Sequence, residues 1–304
     1  MHWGQIKTLL ILSFLILDVY LFVQFLEKKE QADIGVLEHQ PSTIEERLNA
    51  EAITFQELPE QEYEETFISV KQQMFNEEDL AQLKDIAAQK SFIFNKNFIA
   101  SKLDKPILIE EDFSTESITE IFNNIAYYPE EYSFWNWNEE YNVLIFFQNK
   151  MERPVYYNQN GLVLLFLNDR NEVSFYVQTM LGETEQLAEK KKLIKPIQAI
   201  EKLYQSNKLH SGDDISKVNI GFHTRVPFKS GVQVFAPIWK VNVNEEKDYF
   251  VNALEGFIFS TEEQEFLEEV IDASIDHMQV QREKNSPIET MLSELRNRLE
   301  KTTG

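Results

Sequence analysis

Histidines are the first residues to test for chemistry, because imidazole serves as a general base and as a zinc ligand. His223 falls in a predicted strand, where a hydrogen-bonded structural histidine is the favoured interpretation. The run from His210 to Asp214 contains histidine, serine and aspartate, but neighbours within one turn cannot reach the geometry of a catalytic triad. The five histidines are scattered, and none stand at metal-ligand spacing: His2, His39, His210, His223 and His277. No catalytic histidine and no metal site are predicted.

Carboxylates are too common in this chain for any one pair to indicate an enzyme. The sequence has 51 acidic and 29 basic residues, which gives a net charge of −22. The six glutamates between Arg47 and Lys71 lack the glycine turn of a calcium loop, so a solvated face is the better interpretation. The sequence also has no Walker A loop, H-E-x-x-H, G-x-S-x-G or dinucleotide-binding glycine pattern. We therefore predict no enzymatic activity and no cofactor. The absence of cysteine excludes disulfides.

Asp18 lies near the middle of a strongly apolar run, Thr8–Leu26. Fourteen of the nineteen residues in this run are Leu, Ile, Val or Phe. A helix of this length matches a hydrocarbon layer of about 30 Å, and its apolar residues outweigh the cost of about 3 kcal/mol for one central aspartate. No small-residue cleavage pattern follows. We predict an uncleaved signal anchor at residues 8–26, with residues 1–7 cytoplasmic and the remainder extracellular.

The predicted anchor has two polar faces. The neighbours of Asp18 on its own face are apolar, so its carboxyl would seek a donor or acceptor on another helix. Ser13, Tyr20 and Gln24 lie within about 40° of each other on the opposite side. Two polar faces predict two helix neighbours in the membrane. The alternative is that Asp18 reaches a local water defect and contacts no partner.

An aromatic cluster between Tyr127 and Tyr141 is the second candidate site. Tyrosine and tryptophan concentrate at docking surfaces, which makes Tyr132, Trp135 and Trp137 candidates for contact with a protein or a glycan. A loop held in place by its own aromatic side chains would show the same pattern, and packing is the favoured interpretation. The solvent exposure of Trp135 and Trp137 distinguishes the two.

Composition indicates a folded acidic region beyond the anchor. Residues 1–30 hold three basic and three acidic side chains, so the whole net charge lies after them. Such a region is poorly suited to nucleic acid or to an anionic lipid surface. With 43% hydrophobic and 12% aromatic residues, the chain has enough apolar surface to build a packed core.

Periodicity and caps predict an α+β fold with antiparallel sheets and packed helices. The expected helices are Glu45–Ala52, Glu77–Ala88, Thr115–Ile125, Pro196–Ser206, one from Ser260 to about Glu283, and one beginning at Ser286. The expected strands include Tyr63–Lys71, a meander from Tyr141 to Met180, and a hairpin of Val232–Asn242 with Tyr249–Ile258. This order predicts a juxtamembrane connector (27–61), two α+β domains (62–183 and 184–283) and a helical tail (284–304).

Two stretches resemble the YycI (WalI) family. The opening His2-Trp3-Gly4-Gln5-Ile6-Lys7-Thr8, followed by an apolar helix with Leu17-Asp18, is similar to the start of that family. The hairpin from Trp239 to Gly256 resembles its C-terminal end and, more loosely, a PepSY-type hairpin. Length and organisation match along most of the chain, and the shared pattern contains no catalytic signature.

The resemblance implies a single-pass membrane protein of a Gram-positive bacterium, with a cytoplasmic N-terminus and an extracellular fold like that of YycH. It implies a non-catalytic regulator of the WalK (YycG) sensor kinase of the cell-wall two-component system, acting with a YycH-like partner. A homodimer is left open. Two alternatives remain: an anchored extracellular binding module for a wall polymer or peptide, and a cell-wall hydrolase without recognisable motifs.

Overall fold

The computed structural model describes residues 11–24, 43–59, 61–86, 88–110, 113–227, 231–259, 262–280 and 286–302. The chain forms two compact units, Met1–Glu51 and Ala52–Gly304. The described part of the first unit contains helix α1 (residues 11–24) and helix α2 (Ile44–Ala50). The predicted connector and anchor each extend beyond the described residues.

Helix α2 begins one residue earlier than the sequence predicts. Thr43 is the N-cap, and the capping box pairs it with Glu46, whereas Ser42-Thr43-Ile44-Glu45 also matches the capping-box sequence one residue earlier. The Thr43 hydroxyl accepts a hydrogen bond from the Glu46 N–H (3.2 Å), and the Glu46 carboxylate accepts one from the Thr43 N–H (3.1 Å). The pattern S/T-x-x-E is met in both registers, so spacing alone does not choose between them.

The second unit is α+β with a large, mainly antiparallel sheet, which confirms the α+β part of the predicted fold class. Its helices are α3 (Glu77–Asp85), α4 (Thr115–Ile125), α5 (Pro196–Gln205), α6 (Glu263–Gln279) and α7 (Pro287–Thr302), with a 3₁₀ turn at Pro129–Glu131. Asn76 caps α3 through its side-chain oxygen, and Ser114 caps α4. These caps occupy orphan N–H groups of the first turn, which is why the helix starts follow the sequence closely.

The strands of the second unit are β1 (Thr54–Phe55), β2 (Glu64–Glu65), β3 (Ile68–Gln72), β4 (Gln89–Phe94), β5 (Phe98–Leu108), β6 (Tyr132–Asn138), β7 (Val143–Lys150), β8 (Arg153–Tyr156), β9 (Leu162–Leu167), β10 (Glu172–Thr179), β11 (Leu181–Gln186), β12 (Lys191–Lys192), β13 (Asp214–Pro227), β14 (Val232–Val243), β15 (Lys247–Asn252) and β16 (Ile258–Phe259). Most strands of the second unit have eight residues or fewer, and the longer ones are β5, β13 and β14. The predicted hairpin is present as β14 and β15.

Fourteen of these strands join in one mainly antiparallel sheet, and β2 pairs with β12 in a separate ribbon. One half of the sheet has the order β6-β7-β9-β10-β5-β4. The other half has the order β11-β3-β14-β13, with β1 beside β13 and β15 beside β14. The predicted boundary between residues 183 and 184 does not coincide with the change between halves, because β3 and β11 both lie on the β14 side. The division into two domains stays a prediction.

Strand β8 joins the two halves and corrects the predicted meander. β7 pairs directly with β9, whereas β8 pairs with β7 only near the turn, at Asn149–Pro154 and Lys150–Arg153. It then runs parallel to β13, at the register Val155 with Phe222. The proline in β8 has no N–H for a ladder bond, which favours a short pairing followed by divergence.

Both faces of the first half of the sheet are buried. Along β7, Val143, Ile145 and Phe147 face one hydrophobic cluster while Leu144 and Phe146 face another. Helices α3 and α4 cover the second cluster. Helices α6 and α7 cover the first with Phe266, Leu267, Val270, Ile271, Ile275, Met278, Ile288, Met291, Leu292 and Leu295. The predicted C-terminal tail is therefore part of the core.

Candidate functional site

Asp18 lies in the exposed helix α1. The side chains of residues 11–24 are all exposed, and the large apolar ones are 45–65% exposed. Tyr20 and Gln24 are one turn apart, and the Gln24 amide donates a hydrogen bond to the Tyr20 hydroxyl at 3.3 Å. The face that holds these two residues and Ser13 therefore satisfies part of its polar capacity within the helix.

A search of the described residues finds no helix with both the length and the hydropathy of a membrane span. The predicted anchor at residues 8–26 extends at both ends beyond the described range 11–24. Its membrane insertion, its topology and the roles of its polar side chains stay predictions. What the structure provides is a helix with an apolar surface and one acidic side chain, Asp18.

The aromatic cluster does not form one surface. A β-bulge between Phe134 and Asn136 changes the register of β6 against β7. As a result, Trp135 packs in the cluster under α6, while Trp137 packs in the cluster under α4. Tyr132 is buried, and its hydroxyl donates to the Thr179 carbonyl at 2.7 Å. The bulge therefore places the two tryptophans on opposite faces of the sheet.

Both tryptophans are part-buried and held by hydrogen bonds. The indole N–H of Trp137 donates to the Asn142 side chain at 3.2 Å, and its ring lies 5.2 Å from that of Phe113. The indole N–H of Trp135 donates to Glu263 at 2.8 Å. This geometry agrees with packing as the main role of the cluster, although docking at the exposed edges of these residues stays untested.

A cleft of about 630 Å³ opens beside Trp135. Its lining comes from β6, from the residue that follows β8, from the β14–β15 hairpin and from the start of α6: Trp135, Asn136, Tyr157, Lys240, Asn242, Glu245, Glu246, Lys247, Asp248, Glu262 and Glu263. Volumes of roughly 300–1,000 Å³ are typical of small-molecule sites. Polar side chains from several separate elements converge in this cleft.

Lys240 and Glu263 organise the cleft. The Lys240 ammonium lies 3.9 Å from the centre of the Trp135 ring and 3.3 Å from Asp248. Glu263 accepts hydrogen bonds from Trp135 (2.8 Å) and from the Asn138 amide (3.0 Å). The contacts connect the central hairpin, the bulged strand β6 and helix α6. A cation over an aromatic face, with a carboxylate beside it, is a stabilising arrangement in a part-buried site.

Burial shifts the ionisation of the groups in this cleft. Desolvation lowers the pKa of the Lys240 ammonium, and the charge of Asp248 opposes that change. Desolvation also raises the pKa of the Tyr157 hydroxyl, and Glu263 adds to it. Tyr157 therefore stays a neutral donor at neutral pH. Hydrogen bonds and ionic contacts thus link Lys240 to Asp248, and Glu263 to Trp135 and Tyr157.

The histidines that the structure describes lie apart. Burial lowers the pKa of His223, whose ring stacks on Phe259 at 4.5 Å. His277 stacks on Phe98 at 4.8 Å, and His210 lies in an exposed turn. Within the described ranges, no three His, Asp or Glu side chains are grouped as metal ligands would be. His2 and His39 lie outside the described residues.

Sequence reasoning missed Tyr157, Lys240, Asp248 and Glu263 as one group. One signal was available. Lys240 is the only charged residue between Val232 and Val243, in a strand that is otherwise largely apolar. A charge inside such a run needs a compensating contact. The sequence alone does not show that Asp248 and the ring of Trp135 provide it for Lys240.

Comparison with known proteins shows a match to one protein family. The family model described as "YycI protein" matches residues 31–254. No curated protein matches the chain. Among solved structures, a crystal structure of an uncharacterized protein from Eubacterium rectale ATCC 33656 aligns with a TM-score of 0.42 at 10% identity. That alignment covers 68% of this chain and 89% of the other.

Proposed function

This chain belongs to the YycI family, and from that premise we propose that it is a membrane-anchored, non-catalytic regulator of a YycG (WalK) type sensor kinase. Membership of the family suggests a regulatory role in the YycG/WalK system. The observation that carries the proposal is the family match over residues 31–254, which includes the central β14–β15 hairpin.

Helix α1 is the element we assign to contact with the kinase. Its apolar side chains are exposed, and Asp18 has only apolar residues on its own face. In hydrocarbon, a carboxyl group gains from a donor or acceptor on a neighbouring helix. A regulator changes kinase output only if it packs better against one signalling state than against the other. The proposed mechanism is therefore differential packing of α1 against the helices of the kinase.

The remainder of the chain would lie outside the cell, with a YycH-like protein as its second partner. A net charge of −22 suits an extracellular domain that recognises protein surfaces and avoids anionic lipid. In this proposal residues 1–7 are cytoplasmic.

Anchor exchange tests the proposal. The full-length chain and a version with residues 8–26 replaced by an unrelated single-pass helix are co-expressed with the kinase and a YycH-like partner. We expect co-purification and control of a kinase-dependent reporter to be lost on exchange, and Asp18→Leu to reproduce most of that loss. Leu21→Ile is the matched control in the same helix and should behave as wild type. Unchanged co-purification of both altered chains would refute the role of α1.

A second candidate function is an anchored binding module for a wall polymer or peptide. The cleft of about 630 Å³ beside Trp135 favours it, because its amides, carboxylates and lysine could hydrogen-bond such a ligand. Titration of the full-length chain with soluble wall fragments, followed by tryptophan fluorescence, tests it. A saturable change that Trp135→Phe removes and Trp137→Phe retains would support this function. No saturable change would reject it.

A further inference from the structure

The segment between the start of the second unit and strand β3 is held by main-chain hydrogen bonds at several points. Strand β1 runs parallel to the start of β13, and the Thr54 N–H donates to the Asp213 carbonyl at 2.9 Å. Strand β2 pairs with β12, at the register Glu65 with Lys191. The Leu193 N–H also donates to the Tyr63 carbonyl at 2.9 Å. These bonds are mostly between main-chain groups, so side-chain substitutions alter them little.

Glu65 makes a different kind of contact. Its side chain is 4% exposed, and Oε1 lies 2.7 Å from Nη1 of Arg153, whose side chain is 20% exposed. The Lys190 ammonium is farther away, at 3.7 Å from the same oxygen. The second oxygen, Oε2, is buried and accepts no hydrogen bond from the described residues. Nη1 of Arg153 also makes no hydrogen bond among the described residues, so the two side chains form a close ionic contact, with Lys190 as the more distant second cation. A buried charge is costly without such a partner.

Arg153 is the first residue of β8, the strand that joins the two halves of the sheet. It faces Lys150 across a two-residue turn formed by Met151 and Glu152, whose φ angles are 51° and 61°. Two residues later, β8 begins its parallel pairing with β13. A displacement of Arg153 would therefore move a strand that contacts both halves.

We propose that the Glu65–Arg153 ion pair is a mechanical link through which the segment entering the second unit acts on the joining strand β8. The inference rests on the proposed function for its regulatory consequence, while the physical coupling stands on the geometry alone. A displacement of β2 along β12 would act on Arg153 through Glu65, because the only other charged side chain paired with Glu65 among the described residues is Lys190, at 3.7 Å. The pair transmits displacement and takes part in no reaction.

A buried ion pair contributes little net stability compared with well-packed apolar residues, but breaking it from one side is costly. This asymmetry makes the pair suited to holding one arrangement in place. The chain offers a contrast in the same ribbon. Lys192 pairs with Glu62, and these side chains are 56% and 61% exposed. An exposed pair is weak and screened by salt, so it should transmit no displacement.

Hydrogen exchange on the full-length chain in detergent tests the coupling. Glu65→Gln and Arg153→Gln should each accelerate amide exchange in both β2 and β8 by at least about tenfold, as expected when a buried pair is broken locally. Glu62→Gln, at the exposed pair, should leave β8 unchanged. The double reversal Glu65→Arg with Arg153→Glu should restore part of the protection.

The pattern of exchange decides the outcome. Acceleration in β2 with β8 unchanged would overturn the proposal, and so would equal acceleration in every strand, which would indicate general destabilisation. In cells, the Glu65→Gln chain should still co-purify with the kinase but lose control of the reporter. If the Glu65→Gln chain still controls the reporter although amide exchange in β8 is accelerated, the regulatory role is refuted. If the wild-type chain itself fails to co-purify, the proposed function fails while the exchange result stands.

Discussion

Helix α1 and strand β6 both contain residue types that are common at binding surfaces, but they differ in solvent exposure. In α1 the large apolar side chains are 45–65% exposed, and Asp18 is exposed with them. In β6, the bulge places Trp135 and Trp137 on opposite faces of the sheet, where each packs against a different hydrophobic cluster. The aromatic side chains of β6 therefore contribute to the packing of the sheet, whereas the exposed apolar side chains of α1 form a surface of the kind that often contacts a partner.

Among the substitutions in these two regions, Trp135→Ala should cause the largest loss of folding stability. The ring contacts Phe147 and Tyr156, and its N–H donates to Glu263. Its removal should lower the free energy of unfolding by about 3 kcal/mol, as expected for a large aromatic residue in a packed site. Denaturant unfolding of the full-length chain measures this. A loss below roughly 0.5 kcal/mol would mean that Trp135 is a surface residue and available for docking.

Glu263→Gln should have a smaller effect. The substitution keeps an acceptor for Trp135 but removes the charge, which weakens the hydrogen bonds from Trp135 and Asn138. We expect a loss of about 1–2 kcal/mol, because hydrogen bonds to charged groups contribute more than neutral ones. Glu265→Gln, an exposed glutamate in the same first turn of α6, is the matched control. Equal effects of the two substitutions would contradict the special role of Glu263.

The buried ring of His223 should make stability depend on pH. Burial lowers the pKa of His223 below its ordinary value, so the unfolded chain binds a proton that the folded chain does not. Stability should fall as the pH drops below about 6.5, by up to about 1.4 kcal/mol per pH unit from this residue. Thermal unfolding at pH 7.5 and pH 5.5 measures the slope. His223→Gln should flatten the slope, and His210→Gln should retain it.

The smallest effect should come from α1. Phe14→Ala removes a side chain that is 57% exposed, so the unfolding of the second unit should change by less than about 0.5 kcal/mol. The same denaturant experiment applies. A large loss of unfolding free energy would show that Phe14 is packed in the core, so that α1 and β6 would no longer differ in this respect.

Local signals predicted the helices well and the sheet less well. The helix that begins at Thr115 lies where the sequence predicts it, and Ser114 caps it, because a helix start depends on a few neighbouring residues. The pairing of β8 with β13 was not predictable, because it joins residues that are far apart in sequence. The bulge at Trp135 was also missed. One extra residue in a strand reverses the face of every following side chain, and no composition signal marks it.

The candidate site shows the same limit. Asp18 was predictable because an acid in an apolar run is visible in the sequence alone. Lys240, Asp248 and Glu263 required the three-dimensional structure, because three separate elements bring them together beside Trp135. For Tyr132, a candidate docking residue for which packing is the favoured interpretation, the structure shows a buried hydroxyl that donates to the Thr179 carbonyl.

Cysteine crosslinking along α1 tests the central claim most directly, because the natural chain contains no cysteine. Single cysteines are introduced at each position from Ile11 to Gln24 in the full-length chain and crosslinked to the kinase in membranes. The account predicts crosslinks that recur with a helical period of about 3.6 residues and peak on the face of Asp18. Uniformly weak crosslinking, or strong crosslinking confined to the outer unit, would contradict it.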